Sequence, residues 1–457
     1  MVAVGLLTAP AIAVAGYGPV AAEPAPGSRV EEAPASVRLV LPTRVEERFL
    51  GLTVAGPDGE VVSGPPSRDP RDPRAVTAPV SAPGRGVLTV TWRVLSEDGH
   101  GAGDSYAVGL RTAPGEVGAP SVVRSDHGVL PVAARLLALV GPLGLIGLLA
   151  LAAGVVAPAV RAGGIVVPGE GAAVADGFRD RAAAALAPSA RSWWRAWWVL
   201  MGCAAAGLAL LPPATLWVLR EGPGQLGPLI GGTRFGEAWR AQAAGLLIAA
   251  AAAVVVRRSR GGARLPDGPG VAVALGAGAV LALAAISWGG HASAGADATV
   301  NIVIDFIHSG ATAAWIGGLL GLAVLVAPAV ARLEAGDRVR LAASVVVRFS
   351  ALAMVAVAVL VVTGVYRALA EVALGDQLDT ANGRVLLVKL GLFAVLLVGG
   401  AYNRMVIHPR LERAALGLDP GDRGAAAALR ISVRAELAVA GVLLVTVAVL
   451  VSLPPPG

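Results

Sequence analysis

Hydrophobic positions follow two regimes along this chain. Between residues 37 and 111 they come in short runs punctuated by Pro and Gly: VRLVL (37–41), LGLTVAG (50–56), GEVVSG (59–64), VLTVTWRVLS (87–96) and SYAVGLR (105–111). Within 87–94 large apolar residues alternate with smaller or polar ones, the period of a strand with one covered face. Several short strands at this spacing predict an antiparallel sandwich or barrel, with the Pro-rich PPSRDPRDP (65–73) as a loop. Beyond residue 130 the runs lengthen into eight apolar segments, at roughly 133–158, 195–219, 241–256, 268–288, 299–329, 345–366, 385–403 and 435–453. Most approach the ~20 residues that cross a ~30 Å hydrocarbon layer. Polar backbone is not left bare in lipid, so these segments are helices of one bundle, and their Gly and Ala content suits close packing.

Composition agrees. Hydrophobic residues make up 55% of the 457 residues, charged residues 15%, and the mean hydropathy is +0.70, whereas a soluble domain is about 25% charged. A single cysteine, Cys203, excludes a disulfide framework and a cysteine-based zinc or iron–sulfur site. The net charge of +6 would suit nucleic acid if it were clustered, but residues 17–130 hold 11 Arg against 14 acids. The excess positive charge sits between apolar runs, so a lipid bilayer is the expected partner and nucleic acid is not. With the first helix entering from outside, the segments 159–195, 257–267, 330–348 and 404–434 carry 19 Arg, and the alternate segments 220–240, 289–298 and 367–384 carry five. By the positive-inside rule the former are cytoplasmic. This predicts a multi-pass protein of the cytoplasmic membrane with its β-rich domain and C-terminus outside. The expected organisation is a signal-like segment at 1–16, either with its true start upstream or as an atypical anchor, a β domain at 17–113, a linker at 114–132 and a membrane domain at 133–453. The tryptophans at 193, 194, 197 and 198 read as interfacial anchors.

Two constellations carry chemistry. Asp98-Gly99-His100 follows the strand ending in TWRVLS, and a carboxylate with an imidazole suits Cu(II); the alternative is a surface turn. In the fifth helix Asp305 and His308 are i,i+3 and share a face, about 9–14 Å from its outer end. His291, in WGGHAS, ends the preceding helix nearby. Ionisable groups at that depth face the bundle interior, so His291, Asp305 and His308 form a candidate metal site or ion pathway. The alternative is structural, an ion pair between Asp305 and Lys389, the sole lysine. Met354 is a candidate thioether relay, and Met201 with Cys203 a weaker one. His408 and Met405 border a basic loop and read as solvated; His127 lies beside Asp126 in the linker. No Ser/His/Asp arrangement, P-loop or dinucleotide fingerprint is present, so no enzyme activity is expected.

These motifs resemble two families. TWRVLSEDGHGAGDSYAVGL (91–110) and EPAPGSRVEEAPASVRLVLPTRVE (23–46) resemble the CopC copper-binding domain. TRFGEAWRAQ (233–242), GGHAS (289–293), DFIHSGATAAWIGGL (305–319), RFSALAMVAVAVLVVTGVYRAL (348–369) and GRVLLVKLGLFAVLLVGGAYNRMVIHPRL (383–411) resemble CopD. The whole is similar to CopC–CopD fusion proteins of copper resistance and uptake. The resemblance implies a cupredoxin-like β-sandwich preceding an eight-helix membrane bundle, and copper as ligand, Cu(II) at the outer domain and Cu(I) in the membrane. It implies Asp98 and His100 as two Cu(II) ligands. The family's N-terminal His falls near Gly16 or Tyr17, which carry no imidazole, and no Met lies between Met1 and Met201 to supply a Met-rich Cu(I) site. His291, Asp305 and His308 fall in the most recognisable CopD motifs. The expected function is copper uptake or transfer across the membrane, with copper carriers on either side as partners. Two other readings are an outer copper-binding tolerance module without translocation, and a haem-bearing oxidoreductase, which needs facing His pairs.

Overall fold

The computed structural model describes residues 19–81, 84–97, 99–114, 128–165, 172–260, 264–266, 268–290, 297–371, 380–418 and 424–453. The signal-like segment lies outside them, as do Asp98, His127 and His291. Eight strands form first: β1 (Ala21–Glu23), β2 (Arg29–Val30), β3 (Ser36–Val40), β4 (Val45–Ala55), β5 (Ser67–Arg68), β6 (Ala75–Pro79), β7 (Gly86–Ser96) and β8 (Gly101–Leu110). They make two four-stranded sheets, β1-β3-β6-β5 and β2-β8-β7-β4, antiparallel throughout except for the short parallel pair of β2 with β8. Alternation along β7 sends Leu88, Val90, Trp92 and Val94 into a core shared with Val37, Leu39, Val54 and Val76. Each such burial contributes roughly 1.5–3 kcal/mol.

Sequence and structure differ at several places here, beginning with the short strands β1 and β2, which no expected run covers. GEVVSG makes only the isolated bridges Ala55–Val61 and Ser63–Val80. The Pro-rich loop carries β5, two residues that keep their N–H groups between prolines and pair at the sheet edge with Thr77 and Val76. β6 was not foreseen, because AVTAP is too short to display a period.

Among the described residues eight helices follow that are long and apolar enough to span a membrane: α1 (Val129–Arg161), α2 (Ala172–Leu219), α3 (Arg234–Ser259), α4 (Pro269–Gly289), α5 (Ala298–Val330), α6 (Ala335–Leu369), α7 (Ala381–Ala415) and α8 (Ala425–Ser452). Leu247, Val273, Val362 and Val398 stand on the outside of the bundle, a surface compatible with lipid and not with water. α2 has 48 residues, about 72 Å at 1.5 Å each, so its Ala-rich first half extends through a segment read as a connection. Three helices contain a π turn two residues before a proline, at Ala152–Val156 before Pro158, Leu322–Val326 before Pro328 and Asn403–Ile407 before Pro409. The proline ring displaces the carbonyl four residues back, and the wider turn accommodates it.

The tryptophan expectation fails. Trp193, Trp194 and Trp197 are buried in the bundle core. Trp193 stacks on Trp197 at 5.4 Å, and its Nε1–H donates to the Leu148 carbonyl of α1 at 3.2 Å. α1 and α2 pack so closely that this face of α2 meets protein, not headgroups.

Candidate metal-binding sites

The sandwich sits on one end of the bundle, where α2 and α8 end and α3 begins. At the tip of β7 the alternation breaks, and Val94, Leu95 and Ser96 are all buried. Leu95 and Phe49, the latter beside a register shift in β4, leave the sandwich core for a second cluster with Leu216, Leu219 and Leu229. Polar links frame it. Arg93 pairs with Glu221 at 3.5 Å, and the Arg234 backbone N–H donates to Glu46 Oε1 at 2.7 Å.

Burial holds the Glu46 carboxyl above its ordinary value of 4.5; the Arg234 N–H opposes this, and nearby Glu97 adds to it. The docked form therefore binds the proton more tightly than the undocked form does. Docking is strongest below the ordinary glutamate pKa and weakens as pH rises through the raised one. Glu46→Gln keeps an acceptor for the Arg234 N–H but cannot ionise. Its thermal midpoint is expected above wild type at neutral pH and equal to it in acid; a wild-type pH profile in the variant would refute this.

Gly99 and His100 of the Asp-Gly-His motif lie in the same seam. Gly99 has φ +83, a conformation L side chains rarely adopt, and a Cβ there would stand 2.9 Å from the Phe235 ring of α3. His100 is buried, with its Nε2 2.7 Å from the Val451 carbonyl at the end of α8. A carbonyl only accepts, so Nε2 carries a proton. One expected ligand thus lies at the mouth of the bundle, not on an open surface.

Within the membrane the same end of α5 carries the other constellation. His308 Nδ1 is 2.9 Å from Thr363 Oγ1 on α6, and that hydroxyl is 2.7 Å from the Val359 carbonyl. The Thr363 proton is committed to Val359, so its oxygen accepts from His308 Nδ1–H. This leaves the lone pair of the neutral ring on Nε2, the arrangement in which an outer hydrogen bond orients a ligating imidazole. Asp305 forms an ion pair with Arg367, one turn beyond Thr363. The sequence had offered Lys389 as its partner. Lys389, Arg367 and Asp305 all lie within electrostatic reach of His308.

Other candidates fare differently. Met354 is 51% exposed on the outside of the bundle, which removes it as an internal relay. Met405 is exposed, as expected for a solvated residue, but His408 is buried, with Nδ1 3.0 Å from Arg404 and Nε2 3.1 Å from Glu412. Among the described residues no three His, Cys, Asp or Glu side chains are grouped as a metal site. Sequence reading missed Thr363 and Arg367, although their i,i+4 spacing on α6 mirrors the i,i+3 pair on α5.

The fold is thus a two-sheet domain seated on an eight-helix membrane bundle, with imidazoles at the shared end. Residues 19–109 match the CopC domain and residues 343–450 match Copper resistance protein D, so the chain carries CopC and CopD domains in one polypeptide. It is 34% identical over 175 residues to Copper transport protein CutJ of Bacillus subtilis (strain 168), covering 38% of this chain and 29% of that protein. It is 29% identical over 180 residues to Copper resistance protein D of Pseudomonas syringae pv. tomato, covering 38% and 56%. The matches thus span less than two thirds of either relative. Among solved structures, CopC from Methylosinus trichosporium OB3b aligns at 26% identity and TM-score 0.20 over 22% of this chain and 96% of that one. PcoC, a copper resistance protein from Escherichia coli, aligns at 20% identity and TM-score 0.19 over 20% and 97%. Two parts of the chain thus match copper resistance families, and the described helices between and around them are long and apolar enough to cross a membrane.

Proposed function

We propose that this protein passes copper ions through the membrane from the side capped by the sandwich, which is the extracytoplasmic side. The observation that carries the reading is the His308–Thr363 pair, which presents an imidazole lone pair at the bundle end beneath the docked domain. The arginine asymmetry between alternate connections supports the orientation. The Asp-Gly-His turn, with Asp98 and His100, collects the ion at the seam, and His291 and His308 receive it. Asp305 takes a different role from the one first expected: it offsets the charge of Arg367 and Lys389 rather than that of the ion. Among the described residues Lys389, Arg367 and Asp305 act electrostatically on His308, and cations so placed oppose a divalent ion more than a monovalent one, since Coulomb repulsion scales with charge. A monovalent ion is repelled half as strongly, which favours Cu(I) in transit, and imidazole suits copper.

The same pair of cations favours a second reading, in which copper is held in the seam and never crosses. Copper uptake into proteoliposomes of the full chain separates the two. Translocation fills the vesicle lumen well beyond the amount of protein and is the expected result. Saturation at a few ions per chain would sink it.

A further inference from the structure

At the opposite, arginine-rich end of the bundle lies a polar group that the copper reading does not use. Glu436 of α8 is buried, 5% exposed. Its Oε1 accepts from the Asn403 amide of α7 and, at 3.1 Å, from the Ser432 hydroxyl one turn earlier on α8. Gly399, one turn before Asn403, makes room: a Cβ there would stand 3.3 Å from Glu436 Cγ. Asn403 also opens the π turn before Pro409, and its Oδ1 is buried without a hydrogen-bond partner. Three residues on two helices, Gly399 and Asn403 at i,i+4 on α7 and Ser432 one turn before Glu436 on α8, therefore enclose one carboxyl group.

Among the described residues no cation forms an ion pair with that carboxyl. Arg430 and Arg434 on its own helix, and Arg404 and Arg348 on the helices packed against it, are exposed. Arg404 and Glu412 are engaged with His408. On α6, Arg338 and Arg340 donate to the Leu333 and Gly163 carbonyls. A buried carboxylate without a counter-charge is costly, and such a group takes up a proton instead. Both donors converge on one oxygen, the pattern of a carboxylic acid whose carbonyl accepts and whose other oxygen holds the hydrogen. Ionisable groups so placed in membrane bundles mark proton or ion pathways.

We propose that Glu436, enclosed by Asn403, Ser432 and Gly399, is a proton-binding site at the inner mouth of the bundle. It is protonated at neutral pH and exchanges with the arginine-rich aqueous side. The step is simple protonation of a carboxylate and needs no other reactant. It is independent of whether copper crosses the membrane.

Infrared difference spectroscopy of the full chain in lipid nanodiscs tests it. A carboxylic C=O band is expected at neutral pH, shifted in D2O and lost in Glu436→Gln, whose amide keeps the hydrogen bonds to Asn403 and Ser432. Ser432→Ala should move the band to higher frequency, because the carbonyl loses one donor. If the Gln variant does not accumulate, the Ser432→Ala comparison decides alone, and a band that stays in place belongs elsewhere and overturns the proposal. Carboxylate bands in place of the acid band also overturn it. So does stabilisation by sodium over choline chloride that vanishes in Glu436→Gln, which would make the site one for a metal cation.

Discussion

Substituting His308 by alanine is expected to reduce copper accumulation in proteoliposomes to that of protein-free vesicles. The imidazole is half-buried on α5, its Nδ1–H is held by Thr363, and its Nε2 keeps the lone pair. Alanine removes that ligand, and no other described group offers an imidazole at this depth. Thr363→Val separates ligation from mere packing. Valine matches threonine in shape but cannot accept the Nδ1–H, so the ring is free to choose its tautomer. Loss of an outer-shell partner of this kind typically costs 10–100-fold, so uptake is expected to fall by about that factor, short of the alanine variant. Metal analysis of washed vesicles provides the measurement. Wild-type uptake in His308→Ala would remove this residue from the route, whatever the ancestry of the chain.

The second large effect concerns the bundle itself. α1 and α5 cross at Gly147 and Gly317 with their backbones almost in contact. A Cβ on Gly147 would stand 2.3 Å from Gly317 Cα and 2.4 Å from the Ala313 carbonyl. The obstacles are backbone atoms, which no rotamer change moves aside, and the crossing can open only by separating the helices. Overpacking a core commonly costs about 1–3 kcal/mol, and a rigid backbone obstacle places Gly147→Val at or beyond the top of that range. Against a total stability of about 5–15 kcal/mol, the variant is expected to lose its monodisperse peak in detergent chromatography. Gly202→Ala, with nothing within 4 Å of the added carbon, should elute as wild type. Equal behaviour of the two variants would show that the close crossing does not govern stability.

The candidate site was partly legible in advance. Spacing placed Asp305 and His308 on one face of one helix, and a carboxylate beside an imidazole at a strand end singled out Asp98-Gly99-His100, to which the resemblance to CopC added the ligand roles. Which residues oppose these groups was not legible. Arg367 appeared only as one of two arginines in an outer connection, and Thr363 as a polar interruption of an apolar run. Glu436 raised no signal, because it adjoins Arg434 at the edge of a span, where a solvated carboxylate is the ordinary expectation. Met354 failed as a relay for the converse reason: depth along a helix is readable from the chain, but the direction of a side chain around it is not.

Period and length determined the long strands β3, β4, β7 and β8 and the eight spans, and charge placement the arginine asymmetry, because each is a local property of consecutive residues answering to sheet geometry or bilayer thickness. The structure alone decided the burial of Leu95 and Phe49 at the seam, the bond from His100 to the end of α8, the interior position of Trp193 and Trp197, and the pairing of Asp305 with Arg367. These depend on how helices rotate about their axes and how one domain seats on another. Close packing of distant segments sets those quantities, and a hydropathy pattern, which repeats equally well at many rotations, leaves them open.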